Sequence, residues 1–193
     1  MIDNIIIIDD VVPKIKQDKL EKLLLGPDTL WAFNQDVTYN SLDIRTFNIA
    51  VTTPGISSIF KDTLQNFENN HFNEVKAIAL EAAEKINFTI TDIIRARSFT
   101  HFPLNEKFKK DHDHPHFDFP FDHLVCLYYV NDTDGDTFIF DKKRNDNIAM
   151  EDIQVVQRIS PKKGRCVLFD GNTYHASSGP TMAVRCIINF DII

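Results

Sequence analysis

His116-Phe117-Asp118 sets a histidine and a carboxylate two positions apart. Strand side chains alternate with a period of two, so on a strand both groups share one face and aim at one metal ion. A second histidine, His175, follows 175 − 116 = 59 residues later, and Arg185 lies ten beyond it (185 − 175). Two histidines and one carboxylate on one side of an octahedral metal leave its opposite side open, an arrangement suited to Fe(II). His112 and His114 crowd the same stretch, and Asp111 and Asp113 offer further carboxylates. Only residues 116–118 give the order His-x-Asp, so His116, Asp118 and His175 are the expected metal ligands. His112 and His114 are assigned to a substrate-side entry loop. The stretch from Phe102 to Pro115 is dense in Lys, Asp and His, with little apolar area to bury. It is expected to be a mobile lid beside the open face of the metal.

Arg185 falls inside the apolar run Val184–Ile192. Strand parity puts Arg185, Ile187 and Asn189 on one face and Val184, Cys186 and Ile188 on the other. The arginine face is expected to be the interior. A guanidinium among apolar side chains is costly unless paired, and it grips a carboxylate in a planar, two-point contact. An anionic ligand is its natural partner. Arg165, after Lys162-Lys163-Gly164, reads instead as a solvated strand end.

The run His123–Asn131 (HLVCLYYVN) precedes the turn DTDGDT and the strand FIF. Taken with His-x-Asp…His…Arg, it resembles the iron- and 2-oxoglutarate-dependent dioxygenases, in their prolyl-hydroxylase-like branch. The resemblance covers roughly residues 92–193. It implies a double-stranded β-helix (a jelly-roll variant), Fe(II) as cofactor, and 2-oxoglutarate and O2 as co-substrates. The implied reaction hydroxylates a C–H bond and releases succinate and CO2. It further implies that Arg185 and Tyr129 hold the far carboxylate of 2-oxoglutarate, with Tyr128 facing away. Family members often add a hydroxyl from the strand before the metal motif, where Arg97 and Ser98 are candidates. Halogenating members lack the carboxylate ligand, so Asp118 favours hydroxylation. The substrate implied is prolyl, or another amino acid, small molecule or peptide. The alternative is a non-catalytic, cupin-like β-helix that binds a metal or a partner. The aspartates from Asp132 to Asp136 fail the calcium-loop pattern, since glycine comes fourth and Lys143 occupies position twelve. They read as an Asp-Gly hairpin turn.

The elements that must position these residues divide the chain in two. The expected fold is mainly β with flanking helices, one domain over 1–193. Residues 1–90 are read as strand and helix support, and 91–193 as the β-helix core. Ile5–Asp9 reads as a strand, and Asp10 as the cap of a helix running to Leu25 before Gly26-Pro27. Near-alternation from Trp31 to Phe47 predicts one or two strands, and Pro54-Gly55 a break. Ile56, Ile59, Phe60, Leu64 and Phe67 recur at helical spacing, and so do Phe72, Val75, Ile78, Ala79, Ala82 and Ile86. Two helices covering the outside of a sheet are expected, with His71 at a helix boundary. Eight short runs then read as strands: Ile90–Ser98, Asp118–Phe121, Leu124–Val130, Thr137–Phe140, Ile153–Ile159, Cys166–Phe169, Tyr174–Ser177 and Val184–Ile192.

A chain of 193 residues buries roughly 70% of its unfolded surface. Its 43% hydrophobic and 25% charged residues, with sixteen phenylalanines, describe a globular protein with an aromatic-rich core. A net charge of −7 argues against nucleic acid as a partner, and Lys107, Lys109 and Lys110 read as a solvated loop. No run approaches the roughly 20 apolar residues of a membrane span, and Ile5–Ile8 is too short for a signal core. Cys126, Cys166 and Cys186, odd in number and set in apolar runs, read as reduced buried thiols, so a cytoplasmic location is expected.

Overall fold

An alternating strand can bury one face against a second sheet and the other under helices, and this chain does both. The computed structural model describes residues 4–34, 53–108, 111–144, 146 and 152–193. In order these form β1 (Ile6–Ile8), α1 (Lys14–Leu24), β2 (Ala32–Asn34), β3 (Gly55–Asp62), β4 (Phe67–Glu68), α2 (Phe72–Lys85), β5 (Ile93–His101) and β6 (Leu124–Tyr129). β7 (Thr137–Lys143), β8 (Val155–Ile159), β9 (Cys166–Asp170), β10 (Thr173–Ser177) and β11 (Arg185–Ile192) follow. The major sheet runs β1-β9-β6-β11-β5-β3-β2, with β4 on β3, and the minor sheet runs β10-β7-β8. The described ladders are antiparallel.

β11 is buried along its whole length between β5 and β6. Its parity is the expected one. Cys186, Ile188 and Phe190 point outward, into a cluster roofed by Leu20 and Leu24 of α1 and by Val75, Ile78 and Ala79 of α2. Ile187 points inward, with Leu127, Tyr129, Ile139 and Phe169 between the sheets. A third cluster, built on Phe138, Phe140 and Ala176, covers the far side of the minor sheet. Two facing sheets with helices on one outer side are the double-stranded β-helix that was expected. The N-terminal half is more than a cover, since β3 and β2 extend the major sheet beyond β5.

Several local expectations change. The helix expected over Ile56–Phe67 is instead β3 and β4. Phe60 is fully buried, but Leu64 and Phe67, which completed the helical stripe, are 67% and 46% exposed. Ile56 and Ile59 are β-branched and Ser57-Ser58 favour helices weakly, so pairing with β5 prevails. Gly55 opens that strand and does not break the chain. Asp10 does not cap α1; it sits at φ 52°, and its carboxylate accepts from Lys14 (2.7 Å) and Gln17 (2.9 Å). His71 does stand at the N-cap of α2. Asp118–Phe121 is no strand: Pro120 within it and Pro115 three residues before it lack the N–H a ladder needs. The Asp-Gly turn is no hairpin, because it carries the chain from β6 in the major sheet to β7 in the minor one. There Asp134 holds the opposite loop through the N–H groups of Thr181 and Met182. Arg165 is half-buried at the strand end and paired with Asp9 at 2.7 Å. The three cysteines are free and buried, with Sγ of Cys126 3.2 Å from Sγ of Cys166. Among the described residues no helix is long and apolar enough to cross a membrane. Of the strands expected from Trp31 to Phe47, β2 is present, and residues 35–52 lie outside the described part.

The strand assignment of β3 makes a measurable difference. Phe60→Ala is expected to lower unfolding free energy by about 3–5 kcal/mol in denaturant titration. Phe67→Ala, at an exposed edge, should change it by less than about 0.5 kcal/mol.

Candidate metal and co-substrate site

The two histidines meet through the backbone. His116 and His175 exchange N–H···O=C bonds of 2.9 Å in each direction, an isolated antiparallel bridge that sets His116 beside the middle of β10. Their rings lie 4.5 Å apart between centroids. Nδ1 of His116 lies 3.2 Å from the carbonyl oxygen of His114, and Nδ1 of His175 lies 3.1 Å from that of Thr173. A carbonyl only accepts, so both Nδ1 atoms carry the proton and both Nε2 lone pairs remain for a metal. Burial, then the neighbouring His175, pushes the pKa of His116 down to about 3; burial lowers that of His175 too. Both rings are therefore neutral and ready to ligate.

Asp118 supplies the third donor. One donor atom from each of His116, Asp118 and His175 lies within 4.8 Å of the others. Oδ1 of Asp118 accepts from Arg95 and Arg97, each at 3.0 Å, and Oδ2 accepts from Asn189 at 3.2 Å. Burial alone would raise the pKa of this carboxyl; Arg95, His175 and Arg97 outweigh it and hold it well below the usual carboxylate range. Behind it, Asp191 accepts from Nε of Arg95 at 2.9 Å and lies 3.5 Å from Nε2 of His123. Burial, with Asp118 beside it, pushes Asp191 up to about 6. Asp118, His123 and Asp191 also bring donor atoms together. Arg95 already bridges both carboxylates there, so that group supports the first site and is not a second one.

The cavity in front of these ligands runs between the two sheets, along β5 and β11, whose register stacks one wall in rungs. Arg95 faces Asp191, Arg97 faces Asn189, Phe99 faces Ile187 and His101 faces Arg185. The metal end is polar, the middle apolar, and the far end is Arg185. This guanidinium is 2% exposed. Its Nε donates to the carbonyl of Gly135 (2.6 Å) and its Nη2 to Oγ1 of Thr137 (2.9 Å). Among the described residues no carboxylate pairs with it; Asp191 is held by Arg95 and Asp170 by Lys143. Burial accordingly lowers its pKa. Thr137 was not singled out in the sequence, yet it lines the cavity. Its oxygen accepts from Arg185 and from the Tyr129 hydroxyl (2.7 Å), so its own proton is free to donate. Its signal was parity with the inward-facing Ile139, two positions on.

Three expectations shift. Tyr129 lies one layer behind the cavity wall, reaching it through Thr137, while Tyr128 packs in the helix-covered cluster. Ser98 turns away and donates to the carbonyl of Ile187, whereas Arg97 does line the cavity. His112 packs on Phe138 and Phe140 (centroids 5.4 and 5.0 Å) outside the minor sheet, and His114 caps its neighbour's carbonyl; neither lines the cavity. The described parts of the approach, on either side of residues 109–110, are hydrogen-bonded to the rest of the protein. Leu104 N–H donates to Pro180 and Asp113 N–H to Ser177, and the Asp113 carboxylate accepts from Thr53 and Ser177. His123 packs on Phe119, and its Nδ1 lies 2.9 Å from the carbonyl oxygen of Phe121.

No protein-family model matches this chain, and no curated protein matches its sequence. The architecture is that of the 2-oxoglutarate- and Fe(II)-dependent oxygenase structures. One similar structure is a prolyl hydroxylase from Trichoplax adhaerens in complex with a peptide fragment of the hypoxia-inducible-factor oxygen degradation domain. It has a TM-score of 0.64 and 14% identity over 98% of this chain and 83% of that one. The epimerase SnoN in complex with Fe3+, alpha ketoglutarate and nogalamycin RO gives a TM-score of 0.57 and 15% identity over 98% and 78%. A viral collagen prolyl hydroxylase from Paramecium Bursaria Chlorella virus-1 gives 0.51 and 13% over 97% and 88%. At these identities the likeness is one of fold.

Gly135 is the tightest constraint on the far end. A Cβ there would lie 2.6 Å from Cδ of Arg185 and 2.9 Å from the carbonyl oxygen of Ser178. Gly135→Ala should cost about 1–3 kcal/mol of stability by overpacking, read from a denaturant midpoint, and should displace Arg185.

Proposed function

We propose that the protein is an Fe(II)- and 2-oxoglutarate-dependent oxygenase that hydroxylates a C–H bond of a small-molecule or peptide substrate, releasing succinate and CO2. One observation carries this reading: a convergent His/Asp/His donor set and an uncompensated buried arginine face each other along one cavity. The donor set fits Fe(II), offering two neutral imidazoles and one carboxylate on a single side. When bound, the metal and the oxo acid supply the oxygen-activating and hydroxylating chemistry. His116, Asp118 and His175 hold the metal; Arg95, Arg97 and Asn189 fix how Asp118 presents itself. Arg185 and Thr137 hold the far carboxylate of 2-oxoglutarate, and Tyr129 orients Thr137. Phe99, Leu127 and Ile187 keep water from the middle of the cavity.

The fold-level neighbours support the same reading, one with a bound peptide fragment and one with iron and the oxo acid. A β-helix that only bound a metal or partner would have no need for the Arg185 end. Oxygen-dependent succinate formation from 2-oxoglutarate by the Fe(II)-loaded protein is the direct test, and its absence in the presence of candidate substrates would overturn turnover.

Anaerobic reconstitution should give one Fe(II) per chain, and His116→Ala, Asp118→Ala and His175→Ala should each abolish stoichiometric loading. Normal loading in any one variant removes that residue from the site. Arg185→Lys loses a charge-assisted contact worth about 1.5–3 kcal/mol. Titration of the loaded protein should show 2-oxoglutarate affinity down about tenfold to a hundredfold, with iron affinity unchanged.

A further inference from the structure

We propose that His101 binds the far carboxylate of the oxo acid beside Arg185, and so makes the cavity selective for a dicarboxylic 2-oxo acid. The proposal rests on the co-substrate reading above and adds a residue and a selectivity to it. His101 ends β5 directly opposite Arg185 in the β5–β11 ladder, and both side chains line the cavity. His101 is 2% exposed, and neither ring nitrogen has a hydrogen-bond partner among the described residues.

That condition is unusual within this protein. His112, His114, His116, His123 and His175 each place Nδ1 within hydrogen-bond distance of a backbone carbonyl. A histidine that merely filled the core would be expected to do the same, because an unmade hydrogen bond on a buried polar group costs roughly 1–3 kcal/mol. Burial, with the Arg185 charge beside it, keeps the ring neutral, so it offers one N–H donor and one acceptor nitrogen.

Three groups thus have donors to spare at one end of the cavity: the buried Arg185 guanidinium, whose five N–H groups exceed its two bonds to Gly135 and Thr137, the Thr137 hydroxyl proton and the His101 N–H. A carboxylate has two oxygens and about four lone-pair sites, enough to accept from all three. An oxo acid ending in a methyl group would leave the His101 N–H, the Thr137 hydroxyl proton and the spare Arg185 N–H groups unpaired. The imidazole adds a directed hydrogen bond without adding a second positive charge beside Arg185.

The test compares two five-carbon oxo acids, 2-oxoglutarate and 2-oxopentanoate, which differ in that distal carboxylate. Both are titrated calorimetrically, without oxygen, into the full-length protein loaded with Zn(II) in place of iron. His101→Phe should weaken 2-oxoglutarate binding about tenfold, with 2-oxopentanoate affinity and metal stoichiometry unchanged. His101→Gln, which retains an N–H donor, should recover most of the loss. Equal losses for both acids would make His101 a structural residue and overturn the proposal. Unchanged 2-oxoglutarate affinity in both variants would overturn it too, leaving the co-substrate reading intact. A wild-type protein that holds the metal but takes up neither acid overturns both. If neither variant folds, the ring N–H of His101 in the Zn(II)-loaded wild type decides by nitrogen-15 spectroscopy. It must become protected from solvent exchange with 2-oxoglutarate and not with 2-oxopentanoate; no such change overturns the proposal.

Discussion

Asp118 carries a negative charge inside the protein, and the rest of the site follows from how that charge is met. Removing a carboxylate from water costs several kcal/mol unless it is paired and hydrogen-bonded. Arg95 and Arg97 meet one oxygen and Asn189 the other. All three come from the two central strands of the major sheet, β5 and β11. Broken pairs of this kind are far more damaging than intact ones are stabilising, so the network acts chiefly on geometry. It fixes the carboxylate against the imidazoles, on a rigid sheet and not on the loop that carries Asp118.

The same two strands set the length of the cavity. Going from the Arg97–Asn189 rung to the His101–Arg185 rung crosses four residues, about 13 Å of strand. Apolar Phe99 and Ile187 occupy the interval, so charge is concentrated at the two ends. The minor sheet closes the far end, where Gly135 gives Arg185 its room and Thr137 ties it to Tyr129. The two contacts of Thr137 cross from one sheet to the other, so the gap between the sheets and the position of Arg185 are fixed together.

The ligand order was legible because His116, Asp118 and His175 are chemically rare together, and β11 because a period of two survives in a long apolar run. Parity placed Arg185, Ile187 and Asn189 correctly. What failed was local. Ile56, Ile59, Phe60, Leu64 and Phe67 match a helical period by coincidence, and only pairing with β5, some 40 residues on, decides otherwise. His112 and His114 sit beside the motif in sequence, yet Asp113, anchored between Thr53 and Ser177, sends their rings away from the cavity. Thr137 showed only parity with Ile139, and His101 carried no signal of its own. Their meaning lies in being opposite Arg185 or within its reach, which depends on register between distant strands.

The strand order of the major sheet also bears on how the chain reaches this state. β11 pairs with β5, roughly 90 residues earlier, and β9 lies between β6 and the still earlier β1. Few of these ladders can form before long loops have closed, and closure entropy precedes any reward from pairing. Folding should therefore be slow and late in its commitment, with a transition state that already holds the central strands. Asp118 is held against His116 and His175 by Arg95, Arg97 and Asn189, which come together only once that topology exists. A partly collapsed chain would then offer no half-built metal site, and the competence to bind arrives together with the native sheet.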